Sequence, residues 1–564
     1  MSGRCVRTGV LALGLFALSA VLSVGYWMRE GRPVAMVDVP GGQLDCVSYT
    51  PYDGSSSPLD GAFDADAASI RADLEALRPY VGCIRTYSAL NPVPKAVAIA
   101  AELKFEVWQG IWISGNAAKD AQEIDAGVAL AKAYPGTISR LVVGNEVLLR
   151  REMPASDLAR ITRTVKARAT VPVTYADIYE FWRRNPELAQ AVDIVTLHVL
   201  PYWDDPRPFS IDVVQTSVAD VIQRMREQFP QSEIAIGEAG WPSLGRTRGE
   251  ARPSRVNQAR FMREFVTSPA VKGMRVNLIE GVDQAWKRGP EGTVGGYWGV
   301  LDADRTLKFP LTGPVVERPD WRLELGLALG LALAAFVAGL ALFGRNTGPG
   351  RWPRFALWAV VCQIAGTALL EATVLVWSVA RDPVGWLGGV GGLVLALIAL
   401  GLLARTVLDA RPLACQPLKL SHLASRIGLA RLGLRDGAAW LGLWRAALLL
   451  PAAWLALAIG FDGRHRDLPV ALLLLPALAL IALSLRANAD ANTGRPANGA
   501  DGPEEAWLAV ALLIGAFSAF EGLANAEALA WSLVTLALAL PFWRAVKSEL
   551  GRIGAAAGTR AAQA

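Results

Sequence analysis

The sequence predicts a (β/α)8 barrel of the TIM type, followed by an all-α domain of several membrane spans. Three observations lead there. Short apolar runs alternate with amphipathic helical patterns eight times over roughly 270 residues. The composition breaks near Pro319: charges are spread throughout before it, and long uncharged runs of Leu, Ala, Gly and Val dominate from Trp321 on. Two glutamates, Glu146 and Glu238, each close an apolar run, about three βα units apart at roughly 30 residues per unit.

Taken in order, Arg4 and Arg7 precede an apolar run from Val10 to Trp27. A cationic flank before an apolar core is an export signal or an anchor. The run continues past Ala17-Leu18-Ser19, the best cleavage candidate, so residues 1–28 read as an uncleaved anchor. Residues 29–43 hold Gly and Pro and read as a short stalk. The barrel is expected over 44–318. Its strands are Leu44–Tyr49, Cys83–Tyr87, Phe105–Ile113, Ile138–Gly144, Pro172–Ile178, Val192–Val199, Glu233–Gly237 and Val276–Glu280. The helices between them are Ala65–Leu77, Pro94–Leu103, Ala117–Ala133, Ala155–Ala169, Pro186–Ala191, Val213–Gln228 and Ser254–Phe265. An open doubly wound sheet would carry a Gly-rich phosphate turn after its first strand, and Tyr49-Thr50-Pro51-Tyr52 is not one.

A formal charge of +5 over 564 residues is too small to point to nucleic acid. With three histidines and no His-x-x-x-His or Cys-x-x-Cys spacing, no metal site is expected, and no organic cofactor is called for. Of the five cysteines, Cys5, Cys362 and Cys415 lie in or beside apolar segments. Cys46 and Cys83 fall in the barrel, where an oxidising compartment would allow a disulfide. Two buried free thiols are the slightly favoured reading.

In a barrel of this kind the working face is the C-terminal end of the strands. Leu141-Val142-Val143-Gly144-Asn145-Glu146 and Ile234-Ala235-Ile236-Gly237-Glu238 both end there, so both glutamates are expected at one mouth. Either alone is as easily an ordinary strand-end residue facing water. A pair suits glycoside cleavage, in which one carboxyl protonates the leaving oxygen and the other attacks or activates water.

Four motifs, in order, carry a family resemblance. They are Gly144-Asn145-Glu146, Gly237-Glu238-Ala239-Gly240-Trp241-Pro242-Ser243, the run from Val276 to Lys287, and the run from Tyr297 to Arg305. Over about residues 43–315 the chain resembles glycoside hydrolase family 17, the β-1,3-glucanase and glucanosyltransferase family. The resemblance implies a retaining enzyme with Glu146 as acid/base and Glu238 as nucleophile, and Asn145 on the sugar 2-hydroxyl. The sixth strand carries His198 and Leu200 where plant members tend to have Asn and Tyr, which is more similar to bacterial members. Bacterial relatives that join this barrel to membrane spans resemble proteins implicated in β-1,3/1,6-glucan synthesis. That implies a glucan partner and, beside it, a membrane glucan synthase or exporter.

Aromatic faces stack on glucose rings, so aromatics near strand ends are sugar-platform candidates. Tyr49, Tyr87, Tyr202, Trp241 and Trp286 are expected to touch substrate, with Trp112, Trp182, Trp203 and Trp298 as further candidates. His198, Glu280 and Lys287 are expected as polar groups of the cleft. For each, core packing or solvation competes with that role.

Seven further apolar runs follow: Leu323–Phe343, Phe355–Ala380, Val384–Leu403, Ala438–Phe461, Leu468–Leu485, Ala506–Leu523 and Ala528–Phe542. With the N-terminal anchor they make eight spans, in a membrane domain over 319–543 and a tail over 544–564. Basic residues cluster in three segments: Arg345, Arg351 and Arg354; Arg405, Arg411, Lys419, Arg426, Arg431 and Arg435; and Arg544, Lys547, Arg552 and Arg560. All three fall on the cytoplasmic side if the N-terminus does, which leaves the barrel outside a bacterial inner membrane. Glu371 lies inside a span and is a functional candidate by default, with Arg445 as a possible partner. The sequence reading is therefore a membrane-anchored, retaining β-glucan enzyme that cleaves and most readily transfers the chain. The alternatives are an endo-1,3-β-glucanase of the same fold and a non-catalytic glucan-binding or export component.

Overall fold

The computed structural model describes residues 3–52, 56–58, 64–204, 208–348, 350–411, 419–428, 436–491 and 501–561. The chain forms two compact units. One comprises Pro33–Glu317, the other Met1–Arg32 with Arg318–Ala564.

The first unit is a closed barrel of eight parallel strands, paired in sequence order with the last hydrogen-bonded to the first. We label them β1 (Leu44–Ser48), β2 (Val81–Arg85), β3 (Glu106–Ile111), β4 (Ile138–Asn145), β5 (Val173–Ile178), β6 (Ile194–Val199), β7 (Glu233–Ala239) and β8 (Val276–Leu278). The connecting helices are α1 (Ala67–Leu77), α2 (Val93–Glu102), α3 (Ala117–Ala133), α4 (Ala155–Lys166), α5 (Tyr179–Arg184), α6 (Val214–Gln228) and α7 (Arg255–Thr267). The expected helix at Pro186–Ala191 is instead a 3-10 turn, and α5 begins directly at the end of β5. Pro186 cannot donate to a continuing helix, which separates the two. Between β8 and Gly296 the chain makes only short helical turns.

Side-chain alternation sorts the strands into two layers. Cys46, Cys83, Trp108, Val142, Ala176, Ile194 and Ala235 form one small cluster, one residue from each of β1 to β7, inside the barrel. Their neighbours Val47, Ile84, Val107, Val143, Tyr175, Val195 and Ile236 pack with the helices in the main core. Cys46 and Cys83 are register partners on β1 and β2 and form a disulfide. This corrects the expectation of two free thiols: adjacent parallel strands place both side chains in the same interior layer, a relation that spacing along the chain does not reveal.

The segment expected to be a stalk joins the barrel unit from Pro33 on. Pro33–Val34 pairs antiparallel with Val315–Val316. Arg263 on α7, fully buried, donates to the carbonyls of Met36, Val37, Pro310 and Gly313 and to the carboxylate of Asp38. One guanidinium thereby ties both ends of the barrel unit to its last long helix.

The second unit is helical. Seven of its helices are long and apolar enough to cross a membrane, by length and composition. The expected span Ala506–Leu523 is a helix over Pro503–Ser518 only. Sixteen residues reach about 24 Å, short of the roughly 30 Å hydrocarbon core. The count of eight therefore becomes seven with one shorter helix among the described residues. Cys415, Arg431 and Arg435 lie outside the described residues. Glu371 does not pair with Arg445. Its carboxylate is 2.6 Å from Arg318 and accepts from the Tyr26 hydroxyl at 3.0 Å. Arg445 pairs with Asp501 and Glu505, at 2.9 and 2.8 Å. Asp501 lies just before the helix Pro503–Ser518 and Glu505 in its first turn, both distant in sequence from Arg445.

The disulfide makes a direct test. Of the five cysteines, three should react with a maleimide when the full chain is denatured without reductant, and all five after reduction. Five reactive thiols without reductant would refute the pairing.

Candidate active site

Strict alternation would turn Glu238 and Asn145 away from the mouth. Ala235 faces the interior, and Glu238 stands three residues on, an odd offset that belongs to the helix side. A register shift corrects this: Leu197 pairs with Ile236 but His198 pairs with Glu238, so Gly237 is the extra residue of a bulge. β4 repeats the device. Val142 faces inward and pairs with Thr174, and the next pair is Asn145 with Ala176. Two strands at the mouth thus each carry one additional residue, and each re-aims a polar side chain inward. The glycines are required there. A Cβ on Gly237 would lie 2.5 Å from the Thr196 methyl, and Gly144 has φ +84°. Glu146 itself holds φ +53°, a strained region for a residue with a side chain.

Arg85, at the end of β2 and 1% exposed, organises the resulting cluster. Its guanidinium donates to the Gly237 carbonyl at 2.7 Å, to Glu238 Oε1 at 3.0 Å and to Asn145 Oδ1 at 2.6 Å. Glu238 also accepts from the Tyr87 hydroxyl at 2.8 Å, and Tyr87 lies 2.8 Å from Ser48 Oγ as well. His198 stands between the carboxylates, with Nδ1 2.9 Å from Glu146 Oε1 and Nε2 3.8 Å from Glu238 Oε1. Oxygens of the two carboxyl groups lie within 4.8 Å of each other. Below them Asn277 donates to Ser48 Oγ and to the Gly237 carbonyl.

The two glutamates differ in setting. Glu238 is buried and Glu146 is partly open to solvent. Burial alone would raise the Glu238 carboxyl. The His198 imidazole, the Arg85 guanidinium and the Tyr87 hydroxyl outweigh it and hold Glu238 below the usual carboxylate range. An ionised carboxylate and a more solvated carboxyl facing one gap can divide attack and proton transfer between them. Nearby, Lys287 lies 2.7 Å from Glu280, whose carboxyl burial pushes up to about 7. Lys287 also acts on the Glu238 charge.

Of the residues expected from sequence, the structure gathers Glu146, Glu238, Asn145, His198 and Tyr87 into one cluster, with Glu280 and Lys287 as a second pair. Trp286 is half-buried and meets Tyr52 edge to face, on the loops that leave β8 and β1. Three expected sugar contacts are corrected. Tyr49 has the parity of Val47, so it points into the helix layer and donates to Asp73 on α1, with 1% exposure. Tyr202 and Trp241 are buried in an aromatic cluster with Trp298, where Trp241 stacks on Phe261 and donates to the Arg252 carbonyl. Trp182 and Trp298 are core as well, whereas Trp112 and Trp203 keep half-exposed faces. The sequence reading missed Arg85, Ser48, Asn277 and Tyr52. A lone cation closing the apolar run Cys83-Ile84-Arg85, in the parity of Cys83 and Tyr87, was the available signal for Arg85.

A parallel barrel whose mouth holds two carboxylates this close, one held below the usual carboxylate range by a histidine and a buried arginine, has the architecture of a glycosidase. Comparison with known proteins agrees. Residues 46–299 match the BtgE/BtgC glycoside hydrolase domain. A glucan 1,3-beta-glucosidase of Candida albicans is 26% identical over 269 residues, 44% of this chain and 87% of the relative. One from Schizosaccharomyces pombe is 27% identical over 257 residues, 43% of this chain and 79% of the relative. The crystal structure of a family 17 β-1,3-glucanosyltransferase from Rhizomucor miehei is 22% identical over 49% of this chain and 98% of that chain, with a TM-score of 0.42. Residues 46–299 thus carry a glycoside hydrolase domain similar to those of family 17.

The buried acids give the barrel a pH signature. Burial raises Glu280 to about 7 and both Asp177 and Asp283 to about 6, above their ordinary values near 4. The folded state therefore binds more protons than the unfolded chain between about pH 4 and 7. This contribution to stability is complete below about pH 4 and is lost as pH rises through 7. Glu280→Gln should reduce the excess of Tm at pH 5 over Tm at pH 8, measured by thermal unfolding of the detergent-solubilised chain. An unchanged difference would count against the assignment.

Proposed function

We propose that this protein is a membrane-anchored, retaining enzyme of β-1,3-glucan that cleaves the chain through a glycosyl-enzyme intermediate and transfers it to a glucan acceptor. The observation that carries the reading is the Glu146–Glu238 pair, with oxygens within 4.8 Å of each other. Retaining glycosidases hold their carboxyl groups about 5–5.5 Å apart, and inverting ones leave room for a water between them. The relatives named glucan 1,3-beta-glucosidase support the substrate class.

In the first step a Glu238 oxygen attacks the anomeric carbon. The glycosidic C–O bond breaks, and Glu146 gives its proton to the departing oxygen. In the second step Glu146 takes a proton from an incoming hydroxyl, the new C–O bond forms, and the ester to Glu238 breaks. Water as the incoming group makes a hydrolase; a sugar hydroxyl makes a glucanosyltransferase that elongates or branches the glucan. Transfer is favoured because an enzyme held at a membrane beside a glucan synthase or exporter meets concentrated acceptor chains. The half-exposed Trp112, Trp203, Trp286 and Tyr52 around the mouth suit a chain longer than the reacting sugar. Arg85 favours the anionic form of Glu238, and Asn145, anchored by Arg85, is placed for the sugar 2-hydroxyl.

The barrel is proposed to lie on the outer face of a bacterial inner membrane, with the N-terminus and tail inside. Basic segments at Arg345–Arg354, Arg405–Arg435 and Arg544–Arg560 support this orientation, and so does the Cys46–Cys83 disulfide, which calls for an oxidising compartment.

Incubating the full-length protein with end-labelled laminarihexaose should yield labelled products longer than the donor, and linkage analysis then separates elongation from branching. Only shorter products would make it a hydrolase. Glu238→Gln should abolish both, and a variant that still processes the donor would overturn the mechanism. Arg85→Met removes the buried cation beside Glu238. Its kcat/KM should fall by roughly 100-fold or more, in keeping with about 3–5 kcal/mol for breaking a buried pair. Because Glu238 must be ionised to attack, the acid limb of the kcat/KM profile should move to higher pH. An acid limb that stays in place would refute this role.

A further inference from the structure

Glu146 begins a turn that leaves β4 in the left-handed region, and something must hold it there. Two hydrogen bonds from β5 do so. The Glu146 amide donates to the Ala176 carbonyl at 2.8 Å. Two residues on, the Leu148 amide donates to the Tyr175 hydroxyl oxygen at 3.1 Å. Tyr175 in turn donates its proton to Asp177 Oδ2, and Asp177 Oδ1 accepts from the Ile178 amide at 2.8 Å. Tyr175 and Asp177 are two apart on one strand, so their side chains leave the same face.

Neither side chain reaches solvent: Tyr175 is 1% exposed and Asp177 is fully buried. Asp177 forms no ion pair among the described residues. A buried carboxylate without a cation costs free energy, and a phenylalanine with an apolar partner would fill the same space without that cost. What the polar pair supplies is direction. A phenol accepts at the Leu148 amide only if its own proton points elsewhere, and Asp177 is the group that takes it.

We propose that Tyr175 and Asp177 are a positioning pair for Glu146, setting the turn that aims its carboxyl at the glycosidic oxygen. The inference rests on the reading of Glu146 as acid/base. Asp177 fixes the phenol, the phenol oxygen fixes the Leu148 amide, and the backbone from Glu146 to Leu148 is held at both ends. Glu146 and Asp177 also sense each other's charge, so the pair lies close behind the group it orients.

The test compares two donors with the full-length protein. Laminarihexaose has a poor leaving group and needs an acid; a 2,4-dinitrophenyl β-laminaribioside leaves without one. In Tyr175→Phe, kcat/KM for laminarihexaose should fall by about 10- to 100-fold, part of the roughly 10²–10⁴ that acid catalysis supplies. For the dinitrophenyl donor it should fall by less than about threefold, since kcat/KM reports the first step. Asp177→Asn keeps an acceptor for the phenol and should retain most activity on both donors, whereas Asp177→Ala should follow Tyr175→Phe. Equal losses on both donors would mean a merely structural role and overturn the proposal, as would no loss on laminarihexaose. Glu146→Ala is measured alongside. If it loses both donors equally, the acid/base reading falls and this inference with it. If it is selective and Tyr175→Phe is not, only the positioning role is lost.

Discussion

The candidate site depends on one buried guanidinium. Arg85 reaches the Glu238 carboxylate, the Gly237 carbonyl and the Asn145 side chain together. These three groups come from the ends of β4 and β7, and Arg85 comes from β2. A buried charge of this kind is tolerable only when it is paired and hydrogen-bonded. Arg85 therefore requires the mouth as much as the mouth requires Arg85. With His198 and the Tyr87 hydroxyl, its charge holds the Glu238 carboxyl below the usual range against the effect of burial.

The arrangement also needs backbone that regular strands cannot supply. Glu238 and Asn145 stand at the wrong parity, and one bulge in each strand turns them inward. Gly144 and Gly237 make the bulges possible, one by a left-handed backbone and the other because a Cβ would meet Thr196 and His198. The Gly-Asn-Glu and Gly-Glu sequences are thus geometric requirements before they are chemical ones. Beneath them the barrel interior is filled by small side chains, a tryptophan and a disulfide, which makes a packed floor for the site.

Much of this was legible in the chain. The eight strands follow from apolar runs at βα spacing, and the two glutamates from their places at strand ends. The aromatic residues were read less well. Tyr49, Tyr202 and Trp241 adjoin strand ends and turn into the core, because nearness along the chain does not say which face a side chain leaves. Glu371 shows the same limit in the helical unit: its partners are Tyr26 and Arg318, far away in sequence, and not Arg445.

The sequence by itself determined the order of elements, the break between the barrel and the apolar helices, and the two carboxylates that face one mouth. These follow from local patterns, since periodicity and composition are properties of neighbouring residues. Only the tertiary structure decided that Cys46 and Cys83 join, that Arg85 governs Glu238, and that Tyr175 and Asp177 stand behind Glu146. Each of these is a meeting of side chains fixed by strand register and by single-residue bulges. A shift of one residue turns every side chain beyond it to the opposite face, and no local pattern records where that shift occurs.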